Sequence, residues 1–299
     1  MDQKTFKRPL GAHMSIAGGV AKAVSRAGEL DATALQIFTR NQVRWESPPL
    51  SHQDAGAFRE AVRQSPLRFV CAHASYLINL ASSSEKTRQR SHAALVDELK
   101  RAELLGCFCL VLHPGSPKDD GIDIGVARVA EGLKRAIDET DGLAVRIALE
   151  NTAGAGATLG ATVAELAEIS ARVDCPARLG MCLDTAHAHG AGVNLQNRKS
   201  VDDLVASIAR AFGLSRLYVM HLNDSISGLG SRLDRHAHIG KGQIGEEGFR
   251  TLLAHPDIKT VPGIIETPKG DAPPAADRQN LAVLRQLEAA EAAGLTAQQ

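Results

Sequence analysis

The sequence predicts an α/β protein with the (β/α)8 TIM-barrel fold, and three observations support this. The chain has 299 residues, 44% of them hydrophobic, which is enough for one large core. Eight short apolar runs alternate with helical patterns over roughly the 250 residues that such a barrel occupies. No long linker or internal repeat interrupts this alternation. We therefore predict a single barrel domain over residues 1–299, with a doubly wound parallel sheet as the alternative.

The predicted strands are short apolar runs that end in polar residues. They cover residues 10–14, 34–38, 68–72, 109–112, 145–149, 179–183, 217–222 and 263–265. The clearest helical pattern covers 85–105, where a capping-box spacing from Ser82 to Glu85 marks the start and Gly106 marks the end. Further helical patterns cover 126–137, 162–173 and 202–212. A last one covers 282–293, and the segment 268–299 is predicted to be a peripheral tail and helix.

Composition and charge restrict the class of protein. Thirty-four basic and thirty-four acidic residues give a formal net charge of zero, so the whole molecule is not expected to attract nucleic acid. No run approaches the roughly 18 apolar residues of a membrane helix, and the first residues lack the pattern of a signal peptide. Five cysteines without a CxxC pair favour a reducing compartment and no disulfide. We predict a cytoplasmic protein with no membrane partner, and a monomer.

Imidazole and carboxylate side chains follow six of the predicted strands, at the end where barrel enzymes build their sites. These residues are His73, His113, Glu150, Asp184, His221 and Glu266, with His187 close behind and Asp234 and His236 in the loop after the seventh strand. Nine ligand-type residues are too many for one ion, and this mixture of donors favours zinc, manganese or iron over magnesium. A single histidine at a strand end is more often structural, but several uncompensated carboxylates at one barrel mouth would be costly. The sequence therefore predicts a cluster of two or three metal ions.

At these residues the chain resembles the endonuclease IV family of apurinic/apyrimidinic endonucleases, also called deoxyribonuclease IV. The resemblance extends from Gly11 to about Thr267. Its motifs occur in the same order at residues 11–15, 18–19, 38–42, 73–80, 113–116, 150–154, 182–187, 221–224, 231–236 and 266–267.

The resemblance implies a barrel that binds three zinc ions, for which Mn²⁺ or Fe²⁺ are possible substitutes. One ion would be held by His73, His113 and Glu150. Glu150 would bridge to a second ion held by Asp184, His221 and Glu266, and a third would be held by His187, Asp234 and His236. The implied substrate is double-stranded DNA that contains abasic sites. The implied reaction cleaves the phosphodiester 5′ to the lesion, leaving 3′-hydroxyl and 5′-deoxyribose phosphate ends, and the family also removes 3′-blocking groups.

Such a cluster suits phosphodiester hydrolysis, because cations lower the pKa of a nearby water and neutralise phosphate oxygens. No protein nucleophile is then required. Glu150 is the first candidate to orient that water or to accept its proton, and Glu266 is the second. Divalent ions would also place positive charge at the mouth of a neutral protein.

The loops that could hold DNA follow the first, second, third and seventh predicted strands, and the candidate contacts lie in the first strand and in the loops after the second and third. These contacts are His13, Arg40, Asn41, Arg44, Trp45 and Tyr76. Arginines beside a tryptophan suit phosphate contact and stacking or wedging at a disrupted base pair, although the tryptophan ring could instead pack on neighbouring prolines. In the family, a tyrosine at the position of Tyr76 enters the DNA at the flipped abasic nucleotide, and the alternative is a buried ring bonded through its hydroxyl. His13 is expected either near the phosphates or in a structural role. Val43 and Ala74 depart from the family pattern, in which arginine and a polar residue are common at these places.

Cys71, Cys109 and Cys182 precede proposed ligands by two or four residues, so their side chains should point into the barrel. We interpret them as small packing groups below the ions, with an additional soft metal site as the alternative. Two rival functions remain at this stage: a sugar isomerase or epimerase on the same barrel, and a non-catalytic DNA-damage binding protein.

Overall fold

Eight parallel strands close into a barrel in the computed structural model, which describes residues 7–270 and 273–296. The predicted TIM barrel is confirmed, and the doubly wound alternative is wrong because the sheet has no free edge. In chain order the strands are β1 (Leu10–Met14), β2 (Ala34–Phe38), β3 (Phe69–His73), β4 (Cys109–Leu112), β5 (Arg146–Glu150), β6 (Leu179–Asp184), β7 (Leu217–His221), β8 (Asp224–Ser225), β9 (His236–Ala237) and β10 (Gly263–Ile265). The barrel order is β1-β10-β7-β6-β5-β4-β3-β2, and β8 and β9 pair separately as an antiparallel ladder.

The helices lie in the connections between the strands. They are α1 (Ala21–Gly28), α2 (His52–Arg63), α3 (Glu85–Leu105), α4 (Ile122–Glu139), α5 (Val163–Val173), α6 (Thr185–Gly190), α7 (Arg198–Ala211), α8 (Gly245–Leu253) and α9 (Pro273–Thr296). Helix α3 has the predicted bounds, but its N-cap is Ser84, whose side chain accepts a hydrogen bond from Thr87 N at 3.3 Å. The predicted capping box from Ser82 is therefore wrong by two residues. Among the described residues, no helix combines the length and hydropathy that a membrane crossing needs.

Two apolar layers hold the barrel together. The larger one lies between the strands and the surrounding helices, and a smaller one contains buried residues from the strands and forms the inner core. Cys71, Cys109 and Cys182 belong to this inner layer and are completely buried. None of the five cysteines, which all lie in the described residues, forms a disulfide.

A buried carboxylate organises the segment that follows the β8–β9 ladder. Asp224 is completely buried and accepts hydrogen bonds from the backbone N–H groups of Gly240, Gly242 and Ile244, each at 3.0 Å. A Cβ atom on Gly242 would lie 2.4 Å from Asp224 Oδ1, so only glycine fits there. The ladder pairs Ser225 with His236 and thereby fixes the base of the loop that carries Asp234.

Candidate metal centre

All nine predicted ligand residues lie at one rim of the barrel. The parallel strands of a closed barrel end at the same rim, so side chains at their carboxyl ends converge. His73, Glu150, Asp184 and His221 are the last residues of β3, β5, β6 and β7. His113 directly follows β4, Glu266 directly follows β10, and His187 lies in α6. Asp234 reaches the rim from the loop between β8 and β9, and His236 is the first residue of β9.

Glu150 is at the centre of this arrangement, and its side chain is completely buried. Its Oε2 lies 2.8 Å from His113 Nε2 and 3.2 Å from His73 Nε2. Its Oε1 lies 3.0 Å from His221 Nδ1 and 3.3 Å from His187 Nδ1. Each carboxylate oxygen therefore faces a different pair of imidazoles, which is the arrangement that a bridging ligand requires.

The remaining carboxylates extend the cluster in two directions. Glu266 Oε2 lies 3.2 Å from His221 Nδ1 on one side. On the other side, Asp234 lies 3.1 Å from His187 Nε2 and 3.2 Å from His236 Nε2. Asp234 is half exposed, so this end of the cluster is the more open to solvent.

Four sets of donor atoms are close enough to surround a common ion, with all donor atoms of a set within 4.8 Å of one another, and three of these sets contain only imidazole and carboxylate groups. They are His73–His113–Glu150, Glu150–Asp184–His221–Glu266, and Asp184–His187–His236. The first two sets match the two groupings that the family resemblance implies. The third contains Asp184 in place of Asp234, which instead contacts both histidines of that set. A fourth set, Glu150–Cys182–His221, brings one inner thiol to the edge of the cluster.

The electrostatics of the rim call for cations. Burial alone would raise the pKa of Glu150 and Glu266, but the surrounding imidazoles outweigh burial and hold both pKa values below the ordinary range. Conversely, burial would lower the pKa of His236, but Asp234 and Asp184 raise it to about 9. The lowered pKa values of Glu150 and Glu266 and the raised pKa of His236 have one cause, the close pairing of imidazoles with carboxylates, and bound cations would supply the same positive charge.

Two buried ring nitrogens also indicate that the rim is suited to binding cations. His187 Nδ1 and His236 Nε2 lie near carboxylates, but neither has a hydrogen-bond partner of acceptable geometry among the described residues. An orphaned nitrogen of this kind is costly unless a ligand satisfies it. With the surrounding oxygen donors, these nitrogens fit zinc, manganese or iron.

Two amides that sequence reasoning missed orient the candidate ligands. Gln36, on β2, accepts a hydrogen bond from His221 Nε2 at 2.8 Å and donates to Glu266 Oε1 at 2.6 Å. Asn223 donates to Asp184 Oδ2 and accepts from Glu266 N, both at 2.7 Å. Outer partners of this kind fix the tautomer and direction of metal-ligating groups. The only signal for Gln36 in the sequence is a polar residue in the middle of an apolar strand.

Helix α6 is positioned by a candidate ligand. Asp184 is its N-cap and accepts a hydrogen bond from His187 N at 2.7 Å. Asn151 holds Asp184 from behind, because its side chain donates to Asp184 O and accepts from Asp184 N. One short segment therefore presents two candidate ligands with little freedom to move.

The predicted DNA contacts divide into two groups. His13 and Tyr76 lie beside the cluster: His13 Nδ1 is 3.3 Å from Glu266 Oε1, and the Tyr76 ring centroid is 5.6 Å from that of His73. Asn41 and Arg44 are exposed on the loop after β2, and Asn41 Oδ1 accepts from the backbone of Val43 at the loop tip. His13 and Tyr76 thus border the cluster, and Asn41 and Arg44 lie on a loop that is hydrogen-bonded to the segment before Tyr76 through Ser75 and Gln42.

Arg40 does not lie where a DNA contact was expected, and the expected contact of Trp45 stays a prediction. Arg40 is 5% exposed and is paired with the buried Glu98, so its guanidinium faces the protein interior. Trp45 is half-buried against the core, and the guanidinium of Arg90 lies 4.4 Å from the centre of its ring. We therefore correct the expected phosphate contact of Arg40, because a buried ion pair occupies its charge.

The fold and the rim cluster define a known class of barrel. Residues 23–287 match the family described as xylose isomerase-like TIM barrel. A probable endonuclease 4 of Oleidesulfovibrio alaskensis is 48% identical over 284 residues, which is 95% of this chain and 96% of that protein. The solved structure of endonuclease IV from Thermus thermophilus has a TM-score of 0.82 and 39% identity, and the match covers 93% of this chain and 98% of that one. The chain belongs to the endonuclease IV family.

More distant barrels share only the fold. A D-tagatose 3-epimerase-like protein matches 94% of this chain and 99% of its own with a TM-score of 0.73, but at 19% identity. The same barrel architecture therefore occurs in proteins with other named activities, and at this level of identity the similarity shows only the fold.

Proposed function

We propose that this protein is a DNA-repair endonuclease that hydrolyses the phosphodiester 5′ to abasic sites in double-stranded DNA, leaving 3′-hydroxyl and 5′-deoxyribose phosphate ends. It also removes 3′-blocking groups. The observation that carries the proposal is the convergence of nine ligand-type side chains, with Glu150 at their centre, in a chain of the endonuclease IV family. We further propose three zinc ions, held by the groupings that the resemblance implies. The cytoplasmic location and the monomeric state stay predictions.

Within this function, the chain's own residues have separate roles. Bound divalent ions would supply a water of lowered pKa and neutralise charge on the phosphate. Glu150 orients the attacking water or accepts its proton, because its carboxylate faces two ligand sets at once. Glu266, 14% exposed, is the second candidate for this role. Gln36 holds the carboxylate of Glu266, and Asn223 holds the carboxylate of Asp184 and the backbone N–H of Glu266.

DNA recognition is assigned to the exposed side chains around the cluster. Tyr76 is 61% exposed and stands above His73, which suits a ring that enters a duplex at a disrupted pair. The loop tip presents Val43, 69% exposed, beside Arg44. The protein has a formal net charge of zero, so the proposed metal ions would form its main local positive charge. This charge would attract the DNA backbone to the metal centre.

The rival functions explain less of the cluster. A sugar isomerase or epimerase typically uses one or two ions with about four ligands, which would leave five residues without a role: His73, His113, His187, Asp234 and His236. A non-catalytic DNA-damage binding protein would be supported by closed coordination without an exchangeable water, and cleavage of an abasic duplex separates it from the nuclease.

The decisive experiment compares wild-type protein with Glu150→Gln on a duplex with one abasic site, with metal content measured in parallel. We expect the wild type to cleave 5′ to the lesion and the variant to lose a factor of roughly 10² to 10⁴ in rate with its metals retained. Glu247→Gln, a change at an exposed position on α8, is the control and should cleave normally. A wild-type protein that is fully loaded with metal and leaves the duplex intact would refute the proposal.

A further inference from the structure

One buried carboxylate at the rim lies outside the metal cluster. Glu98 is in the middle of α3, and its side chain is 1% exposed. Its Oε1 accepts hydrogen bonds from Arg40 Nε at 3.0 Å and from Ser75 N at 3.1 Å. Thr39 Oγ1 donates to its Oε2 at 3.4 Å. Thr39 and Arg40 directly follow β2, and Ser75 follows β3, so one carboxylate from the helix layer holds the ends of two neighbouring strands.

These contacts continue into the two loops that follow the strands. Arg40 Nη1 donates to Trp45 O at 2.8 Å, which closes the loop over residues 40–45. Ser75 Oγ donates to Gln42 O at 2.7 Å, which joins this loop to the one after β3. We call Glu98, Arg40 and Ser75 the loop anchor.

The loop anchor lies directly behind exposed side chains. Ser75 immediately precedes Tyr76, whose ring lies 5.6 Å from the ring centroids of both His73 and Phe38. On the other loop, the exposed tip of Val43 and Arg44 stands between Gln42 and Trp45, whose carbonyls the anchor holds. The position of the tip relative to Tyr76 therefore depends on the anchor.

The energetics favour positioning over stability as the role of this group. Desolvation offsets most of the Coulombic gain of a buried ion pair, and apolar residues of similar size often stabilise a fold equally well. A charged pair with fixed hydrogen-bond directions does, however, define a geometry that apolar packing does not.

We propose that Glu98 is a positioning residue for lesion recognition. It holds the loops after β2 and β3 at one spacing, so that Tyr76 and the Val43–Arg44 tip meet an abasic duplex together above the metal centre. The inference rests on the proposed function, because it assigns these side chains to the same DNA.

The test compares Glu98→Gln with a matched control on the same helix. Glu103 also accepts a backbone hydrogen bond, from Val145 N at 2.8 Å, but at the opposite, amino end of the barrel. We expect Glu98→Gln to raise KM for an abasic duplex about tenfold with kcat within about twofold and metal content unchanged. Glu103→Gln should keep both kinetic constants.

A spectroscopic measurement reports on the loop without any substrate. Trp45 is the only tryptophan, and the anchor holds its carbonyl. Quenching of its fluorescence by acrylamide should increase in Glu98→Gln and stay at the wild-type level in Glu103→Gln. If the wild type does not cleave DNA, the proposed function fails, and this measurement still decides whether Glu98 holds the loop.

Ser75→Ala provides a second variant in case Glu98→Gln does not fold. It removes the bond to Gln42 O and leaves no buried charge without a partner, so a rise in KM with unchanged kcat is expected here as well. The proposal is overturned if the anchor variants match Glu103→Gln in KM and in quenching, or if their loss is confined to kcat or to metal content.

Discussion

Replacing Gln36 by leucine tests whether the amide next to the cluster prepares His221 for metal binding. The Gln36 side chain is completely buried, and its Oε1 accepts from His221 Nε2, which leaves Nδ1 facing Glu150 and Glu266. Leucine has a similar size but provides no acceptor. The His221 Nε2–H would then be buried without a partner, which costs about 1–3 kcal/mol.

The expected effect on metal affinity follows from the same contact. Loss of the outer hydrogen bond to a metal-ligating histidine weakens binding by about 10- to 100-fold. Competition with a chromophoric chelator measures this directly. Ile37→Val, at the next position on β2, is the control: it should cost about 0.5–1.5 kcal/mol of stability while metal affinity stays constant. If Gln36→Leu binds zinc as tightly as Ile37→Val, the proposed role of Gln36 is refuted.

Three other perturbations test separate parts of the structure. Tyr76→Ala should weaken binding of an abasic duplex about tenfold by titration, whereas Tyr76→Phe keeps the ring and should bind normally; equal losses would contradict a role for the ring. Removal of metal with a chelator should lower the melting temperature in calorimetry, because the rim carboxylates lose their counter-charge, and added zinc should restore it. A melting temperature insensitive to metal would argue against the cluster. Asp224→Asn should cost about 1–3 kcal/mol in urea unfolding, since an amide NH2 would face backbone N–H groups; a change within about 0.5 kcal/mol would oppose this account.

The barrel could be predicted because its strands are short, buried and apolar. The third and fifth predicted strands, 68–72 and 145–149, differ from β3 and β5 by one residue at each end. The ladder of β8 and β9 was missed because two residues per strand show no periodicity. Helix α6, with six residues, is too short for a helical pattern and begins at a candidate ligand, Asp184.

The candidate site could be predicted where an imidazole or carboxylate residue stands at the end of a predicted strand. It could not be predicted where a contact joins residues that are far apart in the sequence. Gln36 and His221 are 185 positions apart, and nothing local marks the glutamine as a partner. Arg40 and Arg44 are equivalent by sequence alone, yet the first is buried against Glu98, 58 positions away, and the second is exposed. Only the packing of α3 against the barrel separates the two arginines.

Glu150 belongs to two ligand sets, which has a consequence for how the proposed ions would be taken up. Its two oxygens belong to different ligand sets, so ions bound on both sides would share the carboxylate. The carboxylate is already held by four imidazoles, so little ordering entropy remains to be saved, whereas two divalent cations that share it would repel each other at short range. Loading should therefore be stepwise, and scarce metal should produce mainly molecules in which only one of the two sets that share Glu150 is filled.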